Sequence, residues 1–203
     1  MNDLYTAVIH DVKNQLAELA LRLSKRSDAE QEMEIAMNAA RRLSEMLLVH
    51  REATDLLEAN IDTVNPADFL TILAAEYCEL FPALSIHIDV ERAPDSAFFD
   101  DALVRIALGN ALHNACRHAR STIQLAAYEQ NNMLVLEVTD DGAGFPESVL
   151  ALSGKSPATA SGTGTGLGLY LARKIAELHQ LQDRHGTIEL SNTPGGRLRM
   201  LLP

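Results

Sequence analysis

Residues 2 to about 58 contain neither glycine nor proline. That gap limits the fold more than any single motif does. Glycine costs a helix backbone entropy and proline removes a donor and clashes, so their joint absence over such a length favours continuous helix. Within it, Ile9, Val12, Leu16, Leu19 and Leu23 recur at alternating spacings of three and four residues. Met33, Ala36, Ala40, Leu43 and Leu47 repeat that rhythm, which is the spacing of a heptad seam. Between the stripes, Ser27 followed three residues later by Glu30 fits a capping box and predicts a second helix. The expectation is an antiparallel helical hairpin. Two helices alone bury little area, so a second copy is expected to complete a four-helix bundle.

The remainder has a different texture. Asn65-Pro66 marks a boundary, with Asn65 as cap and Pro66 in the first turn of a helix through Phe69, Leu70, Leu73 and Tyr77. Residues 84–90 alternate apolar and polar side chains and predict a half-buried strand. A helix is expected from about Asp101 to His118, then strands at 122–128 and 133–139 joined across Gln130-Asn131-Asn132. Residues 140–168 are rich in Gly, Ser, Thr, Ala and Pro and predict mostly loop. A helix over 169–181 and strands at 187–191 and 198–202 complete the chain. Helices and strands mix without strict alternation, so the class is α+β. The expected organisation is a hairpin over residues 1–60 and a second domain over 61–203.

Composition narrows the partners. Seventeen basic against twenty-eight acidic residues leave a net charge of −11. So acidic a chain suits neither nucleic acid nor an anionic membrane surface. No apolar run approaches a membrane span and the first residues do not read as a secretory signal, so a cytoplasmic chain is expected. Cys78 and Cys116 are too few for a disulfide framework and read as two buried, reduced thiols.

Four clusters carry chemistry. His10 and Asn14 are four apart and share a helix face, with Asp11 beside them. A carboxylate that accepts from one imidazole nitrogen leaves the other as a nucleophile. By itself this cluster also fits an ordinary surface His-Asp pair. Asn110 and Asn114 repeat the four-residue spacing late in a helix, followed by Arg117 and His118. Amide oxygens are hard ligands that suit Mg²⁺, and Arg117 can meet a phosphate. A plain polar helix face is the competing reading. Asp140-Asp141-Gly142-Ala143-Gly144-Phe145 follows an apolar strand and places an acceptor, able to take the exocyclic amine of a purine, where backbone can approach a ligand closely. A simple Asp-Gly turn would look the same. Finally, Gly162 to Leu169 alternates glycine with Thr and Leu and opens a helix, a pattern whose free backbone amides suit phosphate.

In this order and spacing, the four clusters resemble the sensor histidine kinases of two-component systems over nearly the whole chain. His10-Asp11-x-x-Asn14 resembles the phosphoacceptor box, and Asn110 to His118 the N box. Asp140 to Gly144 and Gly164 to Leu169 resemble the two glycine boxes, and Gly195-Gly196 the terminal glycine turn. The resemblance implies a two-layer α/β sandwich ATP-binding domain of the GHKL type behind the hairpin. It implies that His10 attacks the γ-phosphoryl group of ATP, Asp11 orients it, and Asn14 positions water for the reverse reaction. Asn114 would hold Mg²⁺, with Asn110 on the phosphate side, Arg117 toward the γ-phosphate and His118 beside the nucleotide. Asp140 would accept from the adenine amine, with Gly142 and Gly144 letting backbone close in. Gly164, Thr165, Gly166, Leu167 and Gly168 would cradle the phosphates. The implied partners are a response-regulator receiver domain, a second copy of the chain, and a sensor supplied by another protein or by a region outside this sequence. Two rival readings are a histidine phosphotransfer protein with a vestigial ATP site and an anti-sigma-type protein kinase or ATP-binding switch. The sequence departs from the family in having Gln15 where proline often follows the asparagine, which predicts an unkinked first helix, and in carrying Arg197 and Arg199 on the last strand.

Overall fold

The computed structural model describes residues 2–26, 28–54, 56–152 and 167–203, without the side chains of residues 2–10, 30 and 152. The chain divides into two compact units, Met1–Leu57 with Glu79–Phe81, and Glu58–Cys78 with Pro82–Pro203.

The first unit is a helical hairpin of α1 (Asn2–Ser24) and α2 (Glu30–Ala53). α1 runs unbroken, as the absence of proline predicts. Ala20, Met33, Ala36 and Leu48 are buried, whereas Val12 and Leu19 of the expected seam are exposed in the single chain. The predicted capping box does not start α2. Its N-cap is Ala29, which has no side-chain acceptor, and Ser27 lies outside the described residues. Arg26 instead clamps Asp28 with two hydrogen bonds of 3.1 and 3.0 Å across the connection. α2 also stops short of residue 58. The Thr54 hydroxyl donates to the carbonyl of His50 at 2.8 Å, meeting an acceptor that the helix end leaves open.

After the hairpin come β1 (Asp62–Val64), α3 (Pro66–Leu80, all but its last two residues in the second unit), β2 (Ser85–Arg92), β3 (Ala97–Phe99), α4 (Asp101–His118), β4 (Thr122–Gln130) and β5 (Met133–Asp140). Then come α5 (Glu147–Leu152), α6 (Leu167–Leu178), β6 (Gln180–Leu181), β7 (Arg184–His185), β8 (Thr187–Asn192) and β9 (Gly196–Leu202). Asn65 caps α3 through its side-chain oxygen, which accepts from Ala67 and Asp68 N–H at 2.9 and 3.0 Å. The β4–β5 turn works because Asn131 and Asn132 both adopt positive φ, the signature of a type I′ hairpin. β1, β3 and α5 escape a reading by pattern because three- and six-residue elements are too short to show a period. α6 ends three residues before the expected helix end, and Gln180–Leu181 form a strand.

Five strands form one mixed sheet in the order β2-β4-β5-β9-β8, parallel only between β2 and β4. Alternation sends Ile123, Leu125, Leu136, Val138, Leu198 and Met200 inward. Against them pack Leu108 and Leu112 of α4 and Leu171 and Ile175 of α6, all buried. The other sheet face carries polar partners across strands. Arg199 donates to Glu189 at 2.8 Å and to Gln130, and Arg197 donates to the Ser191 hydroxyl at 2.9 Å. Cross-strand pairing explains the two arginines of the last strand. Cys116 is buried, and burial pushes its thiol up to about 12. The expectation of two buried thiols fails at Cys78, which lies on the exposed side of α3, away from Phe69, Leu70, Leu73 and Ala74.

His179 ties the unit together. It is 1% exposed, and its Nε2 accepts from the backbone N–H of Asp100 at 2.9 Å. That bond leaves Nδ1 to donate to the carbonyl of Ile175 at 2.7 Å. Asp100 in turn caps α4 by accepting from Leu103 N–H and also accepts from Asn60 N–H at 2.7 Å. Burial lowers the imidazole pKa from its ordinary 6.5. The folded state thus binds fewer protons than the unfolded one below that value, and stability falls with pH there. The contribution is complete above pH 6.5 and drains as pH falls toward the depressed folded pKa. Urea unfolding of His179→Gln between pH 7 and pH 5 is expected to show a flatter profile than the wild type. Identical profiles would contradict this account.

Candidate functional site

The second unit contains a cleft where α4 meets the ends of β5 and β9. Its lining includes Asn114, His118, Asp140 and Gly144 from the predicted clusters. It also includes Ala115, Val138, Phe145, Leu169, Gly196 and Leu198, an apolar wall suited to a flat ring.

Asp140 is the last residue of β5 and is 9% exposed. Its Oδ1 accepts from Gly142 N–H at 2.7 Å and from Gly196 N–H at 3.3 Å. Its Oδ2 has no hydrogen-bond partner among the described residues, so an acceptor is left over at the cleft. The surrounding glycines are required by packing of the protein on itself. A Cβ on Gly142 would meet the His118 carbonyl at 2.1 Å, and one on Gly196 would meet Asp140 Oδ2 at 2.6 Å. Gly144 has φ +81°, and its missing Cβ leaves room for the Asn192 side chain.

Asp141 takes a different role from its neighbour. Its carboxylate accepts from the N–H groups of Arg120 and Ser121 and from the Ser121 hydroxyl. These bonds, the Ser121 N–H foremost, hold it well below the usual carboxylate range. Asp141 therefore closes the α4–β4 turn and so fixes the height of its neighbour Asp140.

Asn114 is half-buried and lines the cleft, while Asn110, one turn earlier, is 5% exposed and not part of the lining. Asn110 Nδ2 has no hydrogen-bond partner among the described residues. Arg117 is half-buried, and it, Gly142, Leu167 and Gly168 are not part of the lining. Gly164, Thr165 and Gly166 lie outside the described residues. In the first unit, Asp11 and Asn14 are exposed on α1, and Asp11 accepts from Gln15 Nε2 at 3.0 Å. His10 lies within α1, and its side chain is outside the description. Phe145, which ends the third cluster, joins the lining, whereas sequence reasoning missed Asn192. Asn192 Oδ1 accepts from Phe145 N–H at 2.7 Å, and its Nδ2 donates to the Phe145 carbonyl at 2.8 Å.

The architecture is a mixed sheet under a helical layer, with a strand-end carboxylate beside glycine turns at the cleft. The chain belongs to the histidine kinase-, DNA gyrase B- and HSP90-like ATPase family, which it matches over residues 99–203. It is 27% identical over 155 residues to the sensor protein PhoQ of Escherichia coli strain K12. That alignment covers 70% of this chain and 31% of PhoQ, so the chain spans about a third of this relative's length. Among solved structures, it resembles the Acinetobacter baumannii histidine kinase AdeS, with a TM-score of 0.65 and 14% identity over 94% of each chain. It also resembles the ATP-binding domain of PrrB from Mycobacterium tuberculosis, with a TM-score of 0.56 and 27% identity, covering 71% of this chain and 97% of that one. The likeness to AdeS extends the fold assignment to the helical N-terminal part. Among the described residues, no helix is long and apolar enough to cross a membrane.

Proposed function

We propose that the chain is a cytoplasmic protein-histidine kinase core: it binds Mg·ATP in the second unit and transfers the γ-phosphoryl group to His10. An aspartate of a response-regulator receiver domain then takes the phosphoryl group. The observation that carries this reading is the Asp140 carboxylate, one oxygen anchored by two backbone amides and the other left to accept at an apolar cleft. That is the acceptor a purine amine needs. The match to PhoQ, a sensor protein, supports the signalling role.

The proposed roles are those that the motif resemblance implies, supported for Asn114, His118, Asp140 and Gly144 by the cleft they line. Asp140 reads the adenine amine, and His118 lies beside the nucleotide. Asn114 supplies an amide oxygen for Mg²⁺, and Asn110 has a spare donor on the phosphate side. Among the described residues, no three His, Cys, Asp or Glu side chains form a metal cage. One amide ligand fits an ion that arrives with the triphosphate and keeps phosphate oxygens and water as its other ligands. An ion held there by Asn114 would neutralise phosphate charge. Arg117 faces the γ-phosphate, and Gly164, Thr165, Gly166, Leu167 and Gly168 cradle the phosphates with backbone amides. Catalysis is then mostly positioning and charge neutralisation. Asp11 orients His10, and Asn14 positions water for dephosphorylation of the partner. Residues 1–60 act as the dimerisation and phosphoacceptor domain and 61–203 as the catalytic domain. Val12, Leu19, Ile35 and Met46 are exposed on the hairpin, an apolar surface suited to a second copy.

Incubation with Mg²⁺ and ATP labelled in the γ-phosphate is expected to leave acid-labile label on the chain, which a receiver domain then removes. Acid-stable label, or none with ATP bound, would overturn the kinase reading.

A further inference from the structure

We propose that Asn192 is a positioning residue of the nucleotide cleft, acting through Phe145. The inference rests on the nucleotide reading above and adds a residue that none of the four clusters contains. Asn192 ends β8 and stands forty-seven residues along the chain from Phe145. Its side-chain amide pairs with the Phe145 backbone as a strand neighbour would, accepting the N–H at 2.7 Å and donating to the carbonyl at 2.8 Å. A backbone held at both its donor and its acceptor has little freedom to rotate.

The held segment matters because of what it carries. A Cβ built on Gly196 would lie 3.5 Å from the Phe145 ring and 2.6 Å from Asp140 Oδ2. The ring and the free carboxylate oxygen therefore meet at one glycine on the cleft wall. Gly144 makes this possible twice over, through its φ of +81° and through the space its missing Cβ leaves for the Asn192 amide. Asn192 thus fixes the ring edge beside the acceptor, and a flat base finds both already placed. Preorganisation of this kind raises affinity by sparing the ligand the cost of ordering the loop.

The side chain of Asn192 is exposed, so its truncation removes no core packing. Titration calorimetry with ATP and with adenosine on the wild type, Asn192→Ala, Phe145→Ala and the double variant tests the role. Asn192→Ala is expected to weaken both ligands by about tenfold, and equally, because the clamp acts at the base end. The double variant is expected to bind no more weakly than Phe145→Ala alone, since the clamp then has no ring to hold. Asn192→Asp keeps the acceptor and loses the donor, so its loss is expected to fall between wild type and alanine. Unchanged affinity in Asn192→Ala, or fully additive losses in the double variant, would overturn the proposal and leave the nucleotide reading standing. Failure of the wild type to bind ATP would instead overturn the nucleotide reading, and this proposal with it.

Discussion

Asp140→Asn is expected to lower ATP affinity by roughly thirtyfold to a hundredfold while leaving the fold intact. The substitution is nearly isosteric. With its amide oxygen in the place of Oδ1, it still accepts from Gly142 and Gly196 N–H, so both anchors survive. The free acceptor at Oδ2 becomes an NH₂ group. Two donors then face each other across the site, where a carboxylate met an amine. Loss of a charge-assisted bond with a donor left unpaired costs about 2–3 kcal/mol, and about 1.4 kcal/mol is tenfold in binding. Asp140→Ala is a poorer probe because it also releases two backbone amides. Calorimetric titration of Asp140→Asn alongside thermal unfolding separates the effects. Wild-type affinity in a folded Asp140→Asn would show that the carboxylate does not read the base.

The second large effect lies in the hairpin. Glu45 is 0% exposed, and Arg41 pairs with it at 2.8 Å one turn away while also donating to Asn38 at 3.2 Å. Removing the cation takes the Arg41 ion pair from a buried carboxylate. Arg41→Met is expected to destabilise the hairpin by about 3–5 kcal/mol, the cost of breaking a buried pair from one side. Replacing both residues, Arg41→Met with Glu45→Leu, is expected to recover most of that loss, since a buried pair often breaks even against apolar packing. Amide hydrogen exchange along α2 reads the effect in the hairpin alone, which matters in a chain of two units. Unchanged protection in Arg41→Met would contradict the argument.

Local rules make part of this molecule legible. The long stretch without glycine or proline yields the helical hairpin, and Asn65-Pro66 yields the start of α3. Asp140 is recognisable as an acceptor because an apolar strand precedes it and glycines follow within four residues. What escapes is held together over long separations. Asn192 meets Phe145 across forty-seven residues, and His179 meets Asp100 across seventy-nine. No spacing rule spans such distances, because the sheet and the helix layer bring the partners together. The start of α2 shows the opposite failure. Ser27 and Glu30 match a local motif, yet the Arg26–Asp28 clamp fills the connection and the helix begins on an alanine cap. The two aspartates at 140 and 141 look alike in sequence, and only the fold shows that one binds the α4–β4 turn and the other faces the cleft.

The claim on which the proposed function depends is that the phosphoryl group lands on His10. Wild type and His10→Gln, each incubated with Mg²⁺ and γ-labelled ATP at saturating concentration, test it most directly. Acid-labile, base-stable label on the wild type and none on His10→Gln, with ATP affinity equal in both, is the predicted result. Label that persists in His10→Gln would contradict the account.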